Sequence, residues 1–303
     1  MSVGGYRYAR RSTRTPAASI ALPLHWLCAP SCWQHSAVGA HVYPIQNGIP
    51  NLVREEQVSA IDQYFQQQYG AEAARAYDRA IFLLSLLIGC WEPAQRRRLA
   101  QLLDPPTGGL VLEVSVGTGA NLPFLSEAVG QRGEIVGIDL SPAMLQRAHG
   151  RAQDLSIPVH LVRADACRLP FADNTFDAVF HFGGINMFGD VPRALREMVR
   201  VAKPGAPVVV GDEGLSENRR RTFLGRRAAK MNNLYLCRPP FAAVPWEDVQ
   251  GFQLHWAWRE LFYVFRFHKG CPAARSQEDH AVSVQAEVRR RVLESPPPGE
   301  YGI

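Results

Sequence analysis

No apolar run in the 303-residue chain approaches the roughly 18–20 residues that a bilayer-spanning helix needs. The longest candidate, Ile81 to Ile88, has the length of a buried helix or of a cover over a site. Cysteine is sparse: of Cys28, Cys32, Cys90, Cys167, Cys237 and Cys271 only the first two are closely spaced. With no secretory apolar segment at the start, the expected setting is a reducing, cytoplasmic compartment. Acid is missing altogether from residues 1–54, which hold Arg7, Arg10, Arg11, Arg14 and Arg54. The formal net charge of +5 therefore belongs to that stretch, and residues 55–303 are neutral. A neutral body argues against a nucleic-acid partner. The acid-free start reads as a disordered tail over 1–23, or alternatively as an organelle transit peptide.

What is present is 47% hydrophobic content, ample for one sizeable core and a small appended unit. The chain is organised around Leu110-Val111-Leu112-Glu113-Val114-Ser115-Val116-Gly117-Thr118-Gly119. It reads as a buried strand running into a glycine turn, with a helix opening at Ala120-Asn121. Such a turn lets backbone approach a ligand closely, and the helix N-terminus offers unpaired N–H groups. A second apolar strand, Ile135 to Ile138, ends in Asp139, twenty positions beyond Gly119, where a carboxylate can accept hydrogen bonds from ribose hydroxyls. The dinucleotide pattern G-x-G-x-x-G fails, because Leu122 stands where its third glycine would be.

Glu113 to Gly119 instead resembles the E/D-x-G-x-G-x-G loop of class I S-adenosylmethionine (SAM) methyltransferases, with Ser115 in place of the first glycine. Further passages extend the resemblance over about 110–268: Arg163-Ala164-Asp165-Ala166, Leu169-Pro170-Phe171, Phe176-Asp177-Ala178-Val179 and Lys203-Pro204-Gly205. The nearest flavour is the UbiE-like small-molecule group. The resemblance implies an α/β fold: a doubly wound, mostly parallel, seven-stranded Rossmann-like sheet. It also implies SAM as cofactor, held by Glu113, Ser115, Gly117, Thr118, Gly119, Asp139, Leu140, Met144, Asp165, Ala166 and His181. Glu113 would order the loop, Met144 would pack near the adenine, and Asp165 with Ala166 would meet its amino group and ring.

The stretch 24–54 resembles a Trm112-like zinc-ribbon unit through Tyr43-Pro44-Ile45-Gln46-Asn47-Gly48-Ile49-Pro50-Asn51-Leu52. Only one cysteine pair remains, Cys28 and Cys32, with His35 and His41 nearby. A tetrahedral site needs four such ligands, so a degenerate ribbon carrying little zinc is expected. Residues 55–270 form the methyltransferase domain, beginning with helices that cover the pocket, where Tyr77 either faces the ligand or lies on an ordinary amphipathic face. Residues 271–303 read as a flexible tail. Arg219, Arg220, Arg221, Arg226, Arg227 and Lys230 read as a solvated basic helix, the alternative being a grip on an anionic or nucleic-acid substrate.

The expected activity is methyl transfer to O, N or C of a small, lipophilic or aromatic acceptor, with no membrane span and no defined oligomeric state. An RNA methyltransferase and a non-catalytic SAM-binding partner subunit are the alternatives. At the strand ends His181, Asn186, Asp212 and Glu213 are the candidates near the reaction. His181 is the favoured base, because its ordinary pKa lies near neutrality.

Overall fold

The computed structural model describes residues 44–68 and 70–271, apart from the side chains of 71–75, 77 and 87. The calls on 1–23, on Cys28, Cys32, His35 and His41, on the Tyr77 side chain and on the tail past Cys271 lie outside that description. The ribbon-like passage ends in a small antiparallel hairpin, β1 (Ile45–Gln46) and β2 (Ile49–Pro50). Asn47 and Gly48 turn it with positive φ of 51° and 81°, as an Asn-Gly hairpin turn requires. Helices α1 (Ala60–Gln68), α2 (Ala71–Leu87) and α3 (Glu92–Leu103) follow.

The core then alternates strand and helix: β3 (Leu110–Val114), α4 (Leu122–Val129), β4 (Glu134–Asp139), α5 (Pro142–Ala152), β5 (Val159–Arg163), β6 (Ala178–Phe182), α6 (Val191–Val201) and β7 (Pro207–Glu213). Two short helices, α7 (Glu217–Arg221) and α8 (Phe223–Met231), precede the closing hairpin of β8 (Val249–Ala257) and β9 (Phe262–Lys269). Helix starts follow local chemistry. Ser141 caps α5, its Oγ accepting from Met144 N with Pro142 in the first turn, and Asp190 caps α6 by accepting from Arg193 N.

The sheet runs β5-β4-β3-β6-β7-β9-β8, parallel from β5 through β7 and antiparallel through β9 and β8. This is the doubly wound, seven-stranded, mostly parallel α/β arrangement read from the sequence. Its parallel strands are buried on both faces and so read as continuous apolar runs. Leu112, Val114, Val179 and Val210 pack toward α6, while Val111, Ile135, Phe180 and Val209 pack toward α3, α4 and α5. The order reverses between β3 and β6, which opens a crevice at their carboxyl ends. The β1–β2 hairpin docks at the far edge: Leu52 N donates to Arg163 O at 2.8 Å, and the Leu52 side chain enters the core. Among the described residues no helix is long and apolar enough to cross a membrane.

Candidate active site

One cavity fills that crevice. Ser115, Gly117, Thr118, Asp139, Leu140, Met144, Asp165 and Ala166 line one side of it, so eight of the residues picked out for SAM converge. Asp139 organises them. Its Oδ2 accepts from Gly117 N at 2.9 Å and its Oδ1 from Ser141 N at 2.8 Å, which ties the glycine turn to the start of α5. A carboxylate offers about four acceptor sites, so capacity remains for hydroxyl donors from the cavity. Burial raises the Asp139 pKa, and its backbone N–H donors hold it down. Asp165 is fixed similarly, Oδ1 accepting from Cys167 N at 2.8 Å and Oδ2 from Arg168 Nη1 at 3.0 Å.

Two predicted residues stand behind this wall. Glu113 is fully buried, and its Oε1 accepts from Asn121 Nδ2 at 2.8 Å, so it ties β3 to the N-cap of α4. Gly119 sits at φ 79°, where a Cβ would meet the Ala148 Cα at 3.0 Å. The turn can pass between α4 and α5 only without a side chain there. Ser115, in the first glycine's place, adopts φ 57° and still lines the cavity.

His181 requires a correction. It does not line the cavity. In β6 the flanking Phe180 and Phe182 point to the opposite face, and strand alternation turns His181 inward, with no exposed surface and the Phe188 ring 5.4 Å away. Its Nδ1 lies 2.9 Å from the Val114 carbonyl, which can only accept, so Nδ1 carries the proton. Nε2 is buried without a partner. Burial pushes its pKa below the ordinary histidine value, with Asp212 opposing. As placed, it is shut off from the cavity and presents no surface to it.

At the other end of the cavity stands Glu213, picked out from the sequence, beside Tyr235, Trp258 and Phe262, which were not. Phe182 stacks on Trp258 with centroids 4.9 Å apart, and Phe262 lies 5.4 Å from Phe182 and 5.1 Å from Trp258. Tyr235 meets Phe262 edge-on at 6.3 Å, and all four rings line the cavity beside Glu213. Glu213 is held from behind. Its N donates to Asp212 Oδ1 at 2.8 Å and its carbonyl accepts from Asn186 Nδ2 at 2.7 Å. Asn186 N donates to Asp212 Oδ2 at 2.7 Å, and Tyr263 Oη donates to Asn186 Oδ1 at 2.8 Å. Burial first, and then the adjoining Asp212, push the Glu213 carboxyl well above the ordinary range.

The cover is supplied by α1 and α2, whose Phe65, Ile81, Leu84 and Ser85 face the cavity with Ile88 just beyond. Asp78 fastens α2 to the cofactor side: Oδ1 accepts from Thr118 Oγ1 at 2.6 Å and Oδ2 from Arg151 Nη2 at 2.6 Å, with Arg147 at 3.3 Å. Arg151 Nη1 also donates to Thr118 Oγ1 at 3.0 Å, so α2, α5 and the tip of the glycine turn meet at Asp78.

Residues 111–205 match the family model described as "Methyltransferase domain". Over 114 residues the chain is 40% identical to the demethylmenaquinone methyltransferase of Bacillus licheniformis, covering 38% of this chain and 49% of that one. The Corynebacterium kroppenstedtii protein of the same name is 40% identical over 120 residues, covering 40% and 47%. Among solved structures, the chain is similar to Haemonchus contortus phosphoethanolamine N-methyltransferase 2 in complex with S-adenosyl-L-methionine, with TM-score 0.54 and 17% identity, covering 73% of this chain and 62% of that one. A Methanococcus maripaludis protein, named as a candidate S-adenosyl-L-methionine-dependent methyltransferase, gives TM-score 0.52 and 17% identity, covering 67% and 94%.

Sheet order, glycine turn and family match define the class: the core is a class I SAM-dependent methyltransferase domain. Within that class its named relatives are demethylmenaquinone methyltransferases, and the chain spans about half the length of those it matches.

Proposed function

We propose that the chain transfers a methyl group from SAM to an O, N or C atom of a small, lipophilic, ring-bearing acceptor, and that Glu213 takes up the acceptor's proton. When bound, SAM supplies an electrophilic methyl on a sulfonium centre. The residues that would hold it are Asp139 at the ribose, Asp165, Ala166 and Met144 at the adenine, and the 115–118 turn. The observation carrying the proposal is the other end of the same cavity, which a cluster of four aromatic rings lines together with Glu213. Aromatic walls favour a flat apolar acceptor. Orienting two partners in one covered cavity is the main source of rate in such a transfer. Glu213 completes the chemistry: a desolvated carboxyl with a raised pKa is a stronger base than an exposed one. The named relatives act on a demethylated menaquinone, an acceptor of this lipophilic kind.

The test incubates the protein with SAM and lipid extracts and looks for a product heavier by one methyl group. Glu213→Gln is expected to lower turnover by about 10²-fold or more while leaving SAM affinity nearly unchanged. Wild-type turnover should rise with pH as Glu213 deprotonates, and that limb should vanish in the variant. Near-normal turnover in Glu213→Gln would remove the base from the proposal. No methylated product from any extract would remove the activity.

A further inference from the structure

An ordinary surface helix buries its large apolar side chains and shows its polar ones. Helix α8 does the reverse. It turns Gly225, Ala228 and Ala229 inward, whereas Phe223, Leu224 and Met231 are 67%, 61% and 71% exposed. Leu236, in the 3₁₀ turn that follows, is 55% exposed. The same outer surface carries Arg221, Arg226, Arg227 and Lys230, all exposed. Among the described residues none of these four makes an ion pair with an acid. The sequence explains why: no Asp or Glu occurs between Glu217 and Glu247. Two neighbouring cations are spent inward or on that border, Arg220 donating to the Leu215 and Cys237 carbonyls and Arg238 pairing with Glu217. The inner side of the same segment closes the acceptor end of the cavity through Tyr235. Across that cavity, α2 contributes Leu84 from its inner side and exposes Leu83 and Leu86 on its outer side.

We infer that the outer face of 221–236 is a docking surface for an anionic phospholipid bilayer, which sets the acceptor end of the cavity against the membrane. Large apolar side chains interleaved with unpaired Lys and Arg, on a helix whose inner face is only Gly and Ala, is the chemistry of an interfacial helix. Its apolar groups enter the headgroup boundary while its cations meet lipid phosphates and the negative surface potential, at about fivefold in affinity per Lys or Arg. A nucleic acid would use the cations and leave Phe223, Leu224 and Met231 in water. A second copy of this chain would have to bury four unpaired cations against the same four cations, or find acid elsewhere.

Flotation of the full chain with lipid vesicles tests this, comparing phosphatidylcholine alone with phosphatidylcholine containing about 30% phosphatidylglycerol. The chain is expected to float with the anionic vesicles, much less with the neutral ones, and less as salt rises. Phe223→Glu/Leu224→Glu and Arg226→Glu/Arg227→Glu are each expected to weaken anionic-vesicle binding at least tenfold. Because these side chains are exposed and outside the cavity, melting temperature and SAM titration should match wild type in both, which certifies folding and keeps the result separate from the methyl-transfer reading. No flotation of wild type, or flotation undiminished in both variants, overturns the inference. So does a variant that turns a dimer into a monomer without changing vesicle binding. Loss of a single-stranded RNA probe in the arginine variant alone, with vesicles unbound by wild type, would assign the face to nucleic acid instead.

Discussion

Glu113→Gln tests how the glycine turn is held, and its direction is contrary to intuition. Glu113 ends β3 with no exposed surface. One oxygen accepts from Asn121, whose own carbonyl accepts from Arg96 Nη1 at 2.7 Å, and the other oxygen has no partner. Burial disfavours the ionised form, Asn121 and Arg96 offset only part of that, and Asp139 adds repulsion, so the pKa is pushed up to about 8. In the unfolded chain the same group titrates near 4.5. Between those values the folded state keeps a proton that the unfolded state has released, so stability falls as pH rises through the window. At about 1.4 kcal/mol per pH unit, the loss at pH 7 is about 3 kcal/mol relative to the protonated limit, approaching about 5 kcal/mol above pH 8. Glutamine has the same shape, keeps the acceptor for Asn121 and carries no charge at any pH. Urea unfolding at pH 5, 6, 7 and 8 should show Glu113→Gln within about 1 kcal/mol of wild type at pH 5 and more stable by about 3 kcal/mol at pH 7. A variant less stable at pH 8, or a difference that does not change with pH, would mean that Arg96 holds Glu113 ionised and that the reasoning is wrong.

Two further outcomes concern the cofactor side. Asp139→Ala removes the acceptor for Gly117 and Ser141 N–H as well as capacity facing the cavity, and should weaken SAM binding by about 10- to 100-fold, at 1.5–3 kcal/mol per charged hydrogen bond. Unchanged affinity by calorimetry would show that Asp139 only shapes the turn. Asp78→Ala strips Thr118, Arg147 and Arg151 of their shared partner, so amide exchange in α2 should quicken by about 10-fold or more while β3 and β4 exchange as before. Equal protection of α2 in both proteins would mean that apolar contacts alone hold the cover.

The sheet was legible because each core strand is a contiguous apolar run and each turn has local chemistry: Gly117 and Gly119 after β3, and Ser141-Pro142 before α5. The residues proposed for SAM fall on one wall for the same reason, since they follow the ends of β3, β4 and β5 in chain order. The facing wall was not legible. Phe182, Tyr235, Trp258 and Phe262 come from separate elements, and only the folded hairpin brings Trp258 onto Phe182. The aromatic density of 252–267 was a signal, but it equally describes core strands, and Phe265 and Phe267 are indeed buried there. His181 failed on a matter of phase. Its position near the strand end was read correctly, but period-two alternation decides which face it takes, and nothing local to the sequence says which face opens on the cavity.

Three departures from good local practice gather around the glycine turn. Ser115 accepts a left-handed backbone that costs a non-glycine residue about 1 kcal/mol. Glu113, two residues earlier, is a buried acid with an unpartnered oxygen. His181, hydrogen-bonded to the Val114 carbonyl between them, keeps a buried nitrogen without a partner. Around these three the ladder is intact: Val116 N reaches Ile138 O at 2.8 Å and Gly119 N reaches Val116 O at 2.9 Å. A fold selected for stability alone would place a glycine at 115 and an uncharged residue at 113. Three such costs meeting at one turn and its strand neighbours, in the wall of the cavity, indicate that the turn's shape and charge serve what it holds. The serine therefore reads as a modification of a working cradle, since its strained backbone still leaves Ser115, Gly117 and Thr118 facing the cavity.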